Sequence, residues 1–270
     1  IGEALDIQHG IPDMGISSVR AGTYADCKDC DLIIITAGRN RKRGENRLDL
    51  IAGNSAILKD VVGQMKPYYT KGVIMIVSNP VDVLVYQCTK WMGLPNGMVF
   101  GTGCILDSSR FTRLIADYTH LNTEVVKATI VGEHGDAQIP IWSRASIAGV
   151  PLQEYCENVG LKWDEEIRKE ISDKVREMGA TIIKGKGRTH YGIATCVCYL
   201  AEAVLNQRLT IAPVSTMFQG EYGIEDVCLS VPSIIGVNGV EKRLEERWAE
   251  EEFQAFRQAA DKMKKVLKTL

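Results

Sequence analysis

Two stretches, Asp31-Leu-Ile-Ile-Ile-Thr36 and Gly72-Val-Ile-Met-Ile-Val-Ser78, are continuous apolar runs dominated by β-branched residues. A strand with one wet face alternates apolar and polar residues, whereas an unbroken run suits a strand buried on both faces of a parallel sheet. Between the runs, residues 48–67 place Leu48, Ile51, Ala52, Ser55, Ile57, Leu58 and Val61-Val62 at helical spacing, and Pro67 closes the segment. Residues 83–92 read as another helix and 98–101 as a short strand. This alternation is the βαβ pattern of a doubly wound α/β fold.

The second half reads differently. Helices are expected over 108–119, 164–184 and 192–207, and strands over 125–131 and near 211–217 and 226–231. In the helix at 164–184, Ile167, Ile171, Val175, Met178 and Ile182-Ile183 share one face. The last segment opens on Glu250-Glu-Glu and ends near Lys264-Lys265, matching a helix dipole. With 270 residues, 45% of them hydrophobic, the chain can bury a full core and is expected to form two domains.

Other bulk properties exclude partners. A net charge of −2 recommends neither nucleic acid nor an anionic membrane. No apolar run approaches the roughly 20 residues that span a bilayer, and no signal peptide is expected. The eight cysteines are scattered, and Cys27 and Cys30 alone form a C-x-x-C. Without a second such pair no metal site is expected; reduced thiols in a cytoplasmic protein are the reading.

In an open α/β sheet, ligands sit beyond the carboxyl ends of the strands. The run ending at Thr36 leads into Ala37-Gly38, and the run ending at Ser78 into Asn79-Pro80-Val81-Asp82. The strand ending at Gly101 leads into Thr102-Gly103 and on through Asp107 to Arg110. All point at one crevice. A further loop, Ile130-Val131-Gly132-Glu133-His134-Gly135-Asp136, sets a histidine between glycines and carboxylates at a strand end. Of the chain's four histidines, this is the only one in such a setting. By itself the stretch also fits a loop histidine without a role.

Taken together, these residues resemble the lactate/malate dehydrogenase family, in its lactate-type branch. The likeness is carried by Thr36-Ala37-Gly38, Arg41-Lys-Arg-Gly-Glu-Asn-Arg47-Leu48 and Ser78-Asn-Pro-Val-Asp82. Leu106-Asp-Ser-Ser-Arg110-Phe111, Gly132-Glu-His-Gly-Asp136, Trp142-Ser143 and Thr189-His-Tyr-Gly-Ile-Ala194 complete it. The resemblance implies a Rossmann dinucleotide domain over residues 1–101, N-terminally incomplete, and an α+β catalytic domain over 102–270. The family's G-x-G-x-x-G turn and the acid that reads the adenine ribose are not found here. Residues 1–6 look like the helix after the family's second strand. About 50 residues are therefore expected to precede them, by the length of a βαβ unit. The 270 residues alone are expected to bind NADH weakly.

The resemblance implies hydride transfer between NAD(H) and a small 2-hydroxy or 2-oxo acid, by a cytoplasmic homodimer or homotetramer. It makes His134 the general acid/base, with a pKa near working pH. Asp107 then holds the far ring nitrogen, although an N-cap before Ser108 is its bland alternative. Arg110, one turn further, grips the C1 carboxylate by two parallel hydrogen bonds. Arg47, in a charged loop that looks like a lid, polarises the substrate carbonyl on closure. Asn79 offers an amide to the substrate oxygen or to the nicotinamide carboxamide. Thr36, Ala37, Gly38, Val77, Thr102 and Ile193 are the remaining cofactor-binding residues. Ile193 reads equally as a core residue.

The family reads the substrate's C3 substituent six residues before the polarising arginine, and Arg41 stands there. Closing over pyruvate's methyl would bury its guanidinium unpaired, at a cost on the order of several kcal/mol. Oxaloacetate supplies a carboxylate, and a charged hydrogen bond contributes about 1.5–3 kcal/mol. Malate/oxaloacetate is therefore the expected pair and L-lactate/pyruvate the alternative, toward which Thr189 argues mildly. A reading of another class, a non-catalytic remnant or binding subunit, sits poorly with the intact set of His134, Asp107, Arg110 and Arg47.

Overall fold

The computed structural model describes residues 1–13, 15, 17–40 and 47–270, with only the backbone described at Asp13 and Arg47. Arg41 lies outside the described residues, and so does the Arg47 side chain. The first half runs α1 (Gly2–Gly10), β1 (Leu32–Ile35), α2 (Arg47–Met65), β2 (Val73–Ile76), α3 (Val81–Met92) and β3 (Val99–Gly101). Then follow α4 (Ile105–Thr119), β4 (Val126–Lys127), β5 (Ile130–Gly132), β6 (Gln138–Pro140), β7 (Ser146–Ile147) and β8 (Val150–Pro151). The chain ends with α5 (Leu152–Val159), α6 (Glu165–Lys186), α7 (Tyr191–Leu205), β9 (Thr210–Gln219), β10 (Glu225–Gly236), β11 (Gly239–Arg243) and α8 (Glu250–Leu267).

Strands β1, β2 and β3 pair in parallel, as the apolar runs predict, with Ile35 opposite Ile76 and Ile76 opposite Gly101. The sheet continues from β3 into antiparallel strands in the order β1-β2-β3-β9-β10-β5-β6, and β11 pairs with β10. One mixed sheet thus carries the βαβ half and most strands of the second half. A separate three-stranded sheet joins β4, β7 and β8. The long β9–β10 hairpin is the spine of the mixed sheet, with Gly101 of β3 opposite Ser215 and Gly132 of β5 opposite Ser230.

Burial follows this layering. Every residue of β2 is buried, as an unbroken apolar run requires. In β1 the expectation of burial on both faces fails at Ile34, which is 39% exposed. Among the described residues β1 stands at one end of the sheet order, and its Ile33 and Ile35 pack with the α2–α3 core while Ile34 faces outward.

The helix expected at 108–119 begins earlier, at Ile105, with Cys104 at its N-cap position. Asp107 therefore lies inside the first turn, and the N-cap alternative for it is set aside. Phe111 and Ile115, both fully buried, fix α4 against Trp142, whose ring meets that of Phe111 edge-on at 4.5 Å between centroids. Burying such a side chain contributes about 1.5–3 kcal/mol. That packing holds the first turn of α4, and its charged groups, at the sheet's carboxyl edge.

Candidate active site

Three parallel strands end in register at one row. The next residue of each is Thr36, Val77 and Thr102, and the ladder runs one step further: Val77 N donates to Ile35 O (2.9 Å) and Thr102 N to Ile76 O (3.0 Å). Thr36, Val77 and Thr102 line a cavity of about 430 Å³. Gly38 and Asn79 line it too, on the loops that leave β1 and β2. These loops are tied together. Ser78 Oγ donates to Ala37 O (2.6 Å), Asn54 Nδ2 to Asn79 O (2.6 Å), and Arg39 N to Asn54 Oδ1 (2.9 Å). Ala37 itself serves through that carbonyl and does not line the cavity.

Three ionisable side chains also line the cavity. Asp107 and Arg110 sit one turn apart on α4, and His134 projects from the turn between β5 and β6. His134 Nδ1 lies 2.5 Å from Asp107 Oδ2, and Arg110 Nη1 donates to Asp107 Oδ1 at 3.0 Å. The Asp107 side chain is 4% exposed, the imidazole 26%. One buried carboxylate therefore holds an imidazole with one oxygen and a guanidinium with the other. Burial by itself lowers the His134 pKa. The hydrogen bond and charge of Asp107, with the charge of Asp82, outweigh burial and the opposing Arg110, and raise it above 6.5. Such an imidazole can take a proton at its free nitrogen near neutral pH and give it back.

Thr189 and Ile193, at the entrance to and first turn of α7, close another side of the cavity. There α7 approaches α4 so nearly that a Cβ at Gly192 would lie 3.2 Å from Leu106 Cδ1. The structure thus brings Thr36, Gly38, Val77, Asn79, Thr102, Asp107, Arg110, His134, Thr189 and Ile193 around one cavity. The two lid arginines fall outside what it describes, as stated.

Sequence reasoning missed several participants. Asn54, whose amide bridges the loops after β1 and β2, sits in α2 at a position that reads as a generic polar helix residue. Arg176 and Gly179 bring α6 to the cavity, where the sequence offers only an amphipathic helix. Asp82 closes the Ser78–Asp82 stretch, where the sequence alone points to no role for it. Its Oδ2 accepts from His134 N at 2.8 Å and its Oδ1 from Ser215 Oγ at 2.6 Å.

Comparison with known proteins agrees across the chain. Residues 1–101 match the family described as lactate/malate dehydrogenase, NAD binding domain, and residues 104–270 match lactate/malate dehydrogenase, alpha/beta C-terminal domain. An L-lactate dehydrogenase of Thermoanaerobacterium saccharolyticum is 42% identical over 270 residues, 100% of this chain and 87% of the relative. One from Acetivibrio thermocellus is 38% identical over 269 residues, 100% of this chain and 85% of the relative. Among solved structures, the minor L-lactate dehydrogenase of Enterococcus mundtii in its ligand-bound form superposes with a TM-score of 0.93. It is 37% identical, covering 100% of this chain and 86% of that one.

Proposed function

The chain belongs to the lactate/malate dehydrogenase family, an NAD-dependent group acting on 2-hydroxy acids, and on that premise we propose that it interconverts L-lactate and pyruvate with His134 as the proton-transfer group. The observation that carries the chemistry is the shared carboxylate of Asp107, bonded to both His134 and Arg110. Names of the relatives support lactate over malate.

The residues around the strand ends fit the nicotinamide end of the cofactor. Backbone and small polar groups at Thr36, Gly38 and Thr102 form a floor, Ala37 supports it from behind through its carbonyl, Val77 and Ile193 offer apolar contact, and Asn79 an amide. A Cβ at Gly38 would make only ordinary contact with Ser78 and Asn54 at 3.4–3.5 Å, so its place in the reading rests on its backbone lining the cavity. These residues would hold the nicotinamide end of NAD, which when bound would supply the hydride chemistry at the substrate's hydroxyl-bearing carbon.

The chain's own groups manage the proton and the orientation. In the oxidative direction the free Nε2 of His134 takes the hydroxyl proton, while Asp107 fixes the tautomer through Nδ1 and stabilises the imidazolium. Arg110 spends one N–H on Asp107 and keeps others for the C1 carboxylate. Because Asp107 sets both side chains, acid/base and carboxylate clamp stay in fixed relation. Arg47 polarises the carbonyl, and Thr189 borders the substrate. A homodimer or homotetramer in the cytoplasm completes the reading. It is supported by the family and by the exposed aromatic rings of Tyr191 and Tyr199 on α7.

A second reading, malate/oxaloacetate, is favoured by one specific residue, Arg41, for the charge-pairing reason given above. Comparison of kcat/KM for pyruvate and oxaloacetate in the natural protein decides between them. The lactate reading expects pyruvate to be preferred and Arg41→Gln to leave that order intact. A preference for oxaloacetate that Arg41→Gln narrows or reverses would overturn it in favour of malate.

A further inference from the structure

We propose that Asp82, held by the hydroxyl of Ser215, is a positioning residue for His134, fixing the backbone of its turn and placing a second negative charge behind the imidazole. The proposal rests on His134 being the proton-transfer group.

The His134 turn has little stiffness of its own. It is flanked by Gly132 (φ +91°) and Gly135 (φ +149°), residues that add no side-chain packing at those positions. Asp107 fixes the imidazole, but one side-chain contact cannot fix the backbone that carries it. Asp82 supplies that second point through the 2.8 Å bond from His134 N, on a residue 52 positions earlier in the chain. Its other oxygen is occupied by Ser215 Oγ at 2.6 Å, from the middle of the sheet's longest hairpin. Asp82 is 2% exposed and Ser215 is fully buried, so this anchor is rigid.

The identity of the residue is informative. An N–H and an O–H are both given to Asp82; an asparagine would keep the first at its oxygen and the second only with the Ser215 hydroxyl turned to accept from its NH2, at a much smaller desolvation cost. A buried carboxylate in their place is partly stabilised by its position in the first turn of α3, at the positive end of the helix dipole. What the carboxylate adds over the amide is charge, directed at the imidazole. Among the described residues, the charged groups facing His134 are Asp107 and Arg110 from α4 and Asp82 from α3. Arg39 and Arg176 line the same cavity, and Asp136 lies in the histidine's own turn.

Asp82→Asn separates charge from shape, and Ser215→Ala loosens the carboxylate without touching its charge. Both are made in the natural protein, and two quantities are read. One is the His134 imidazole titration followed by NMR, with its signal assigned by loss in His134→Asn. The other is steady-state kinetics with NADH and the preferred 2-oxo acid. Asp82→Asn is expected to move the His134 midpoint to lower pH and to reduce kcat about tenfold, part of the roughly hundredfold or more that a general acid/base contributes. KM for NADH stays within about twofold, because binding surface is preserved. Ser215→Ala lowers kcat in the same direction, and it carries the test if Asp82→Asn does not fold. A purely structural pair would lower stability and leave titration midpoint and kcat unchanged, and that result in either folded variant overturns the proposal. A wild-type protein that turns over neither acid, but whose His134 midpoint still falls in Asp82→Asn, would sink the dehydrogenase reading while supporting the hold of Asp82 on His134.

Discussion

His134 Nδ1 lies 2.5 Å from Asp107 Oδ2, across 27 residues of chain. The imidazole comes from a hairpin turn and the carboxylate from the first turn of α4, so their meeting depends on how α4 packs against the sheet. The carboxylate's second oxygen receives Arg110 at 3.0 Å, so Asp107 holds both side chains.

The pH dependence follows from this contact. Reduction of a 2-oxo acid needs the protonated imidazole, and oxidation of a 2-hydroxy acid the neutral one. With the His134 pKa raised above 6.5, kcat/KM for reduction should hold at low pH and fall as pH rises through that raised value. Oxidation should do the reverse. Asp107→Asn removes the largest raising contribution and leaves burial, so both profiles should shift to lower pH. Profiles of wild type and variant with coincident midpoints would contradict the assignment.

Arg110→Gln tests the carboxylate clamp. The variant should raise KM for the 2-oxo acid at least about tenfold, because even one charged hydrogen bond contributes about 1.5–3 kcal/mol and 1.36 kcal/mol is a decade. The Kd for NADH should change little. A KM within about twofold of wild type would show that Arg110 serves only Asp107.

Phe111→Ala addresses the packing beneath the site. Removing a fully buried ring that meets Trp142 edge-on should destabilise the fold by about 3–5 kcal/mol. The denaturation midpoint in urea reports it, and a loss below about 1 kcal/mol would show that α4 is held by other contacts.

Much of this architecture is legible in the chain because its signals are local. The β-branched run at 72–78 suits a doubly covered strand, and β2 is buried at every residue. The expected strand at 125–131 fails for the opposite reason. Val126 pairs with Ile147 in the small sheet, whereas Gly132 pairs with Ser230 in the large one. Between them Ser108 Oγ caps the break by receiving Ile130 N at 2.8 Å. Periodicity reads β-character and is blind to which sheet a strand joins. The early start of α4 escapes notice because Cys104 provides no side-chain cap.

The site divides along the same line. His134, Asp107 and Arg110 stand out because a charged group in a glycine-flanked or helix-start motif after a strand has few structural uses. Asp82 and Asn54 do not, since each acts through a partner on a distant element, 52 residues away for Asp82 and 25 for the Asn54–Asn79 contact. Their meaning exists only once the sheet brings those elements together.

The central claim is that His134 moves the proton in an NAD-dependent 2-hydroxy acid dehydrogenase. The direct measurement is NADH oxidation by the natural protein and its His134→Asn variant, with pyruvate and with oxaloacetate, alongside NADH binding by fluorescence. Wild type should turn over at least one acid, and the variant should fall to about a hundredth of that rate or less with NADH affinity nearly unchanged. A variant retaining more than about a tenth of the wild-type rate, well short of the loss expected of a general acid/base, would contradict the account.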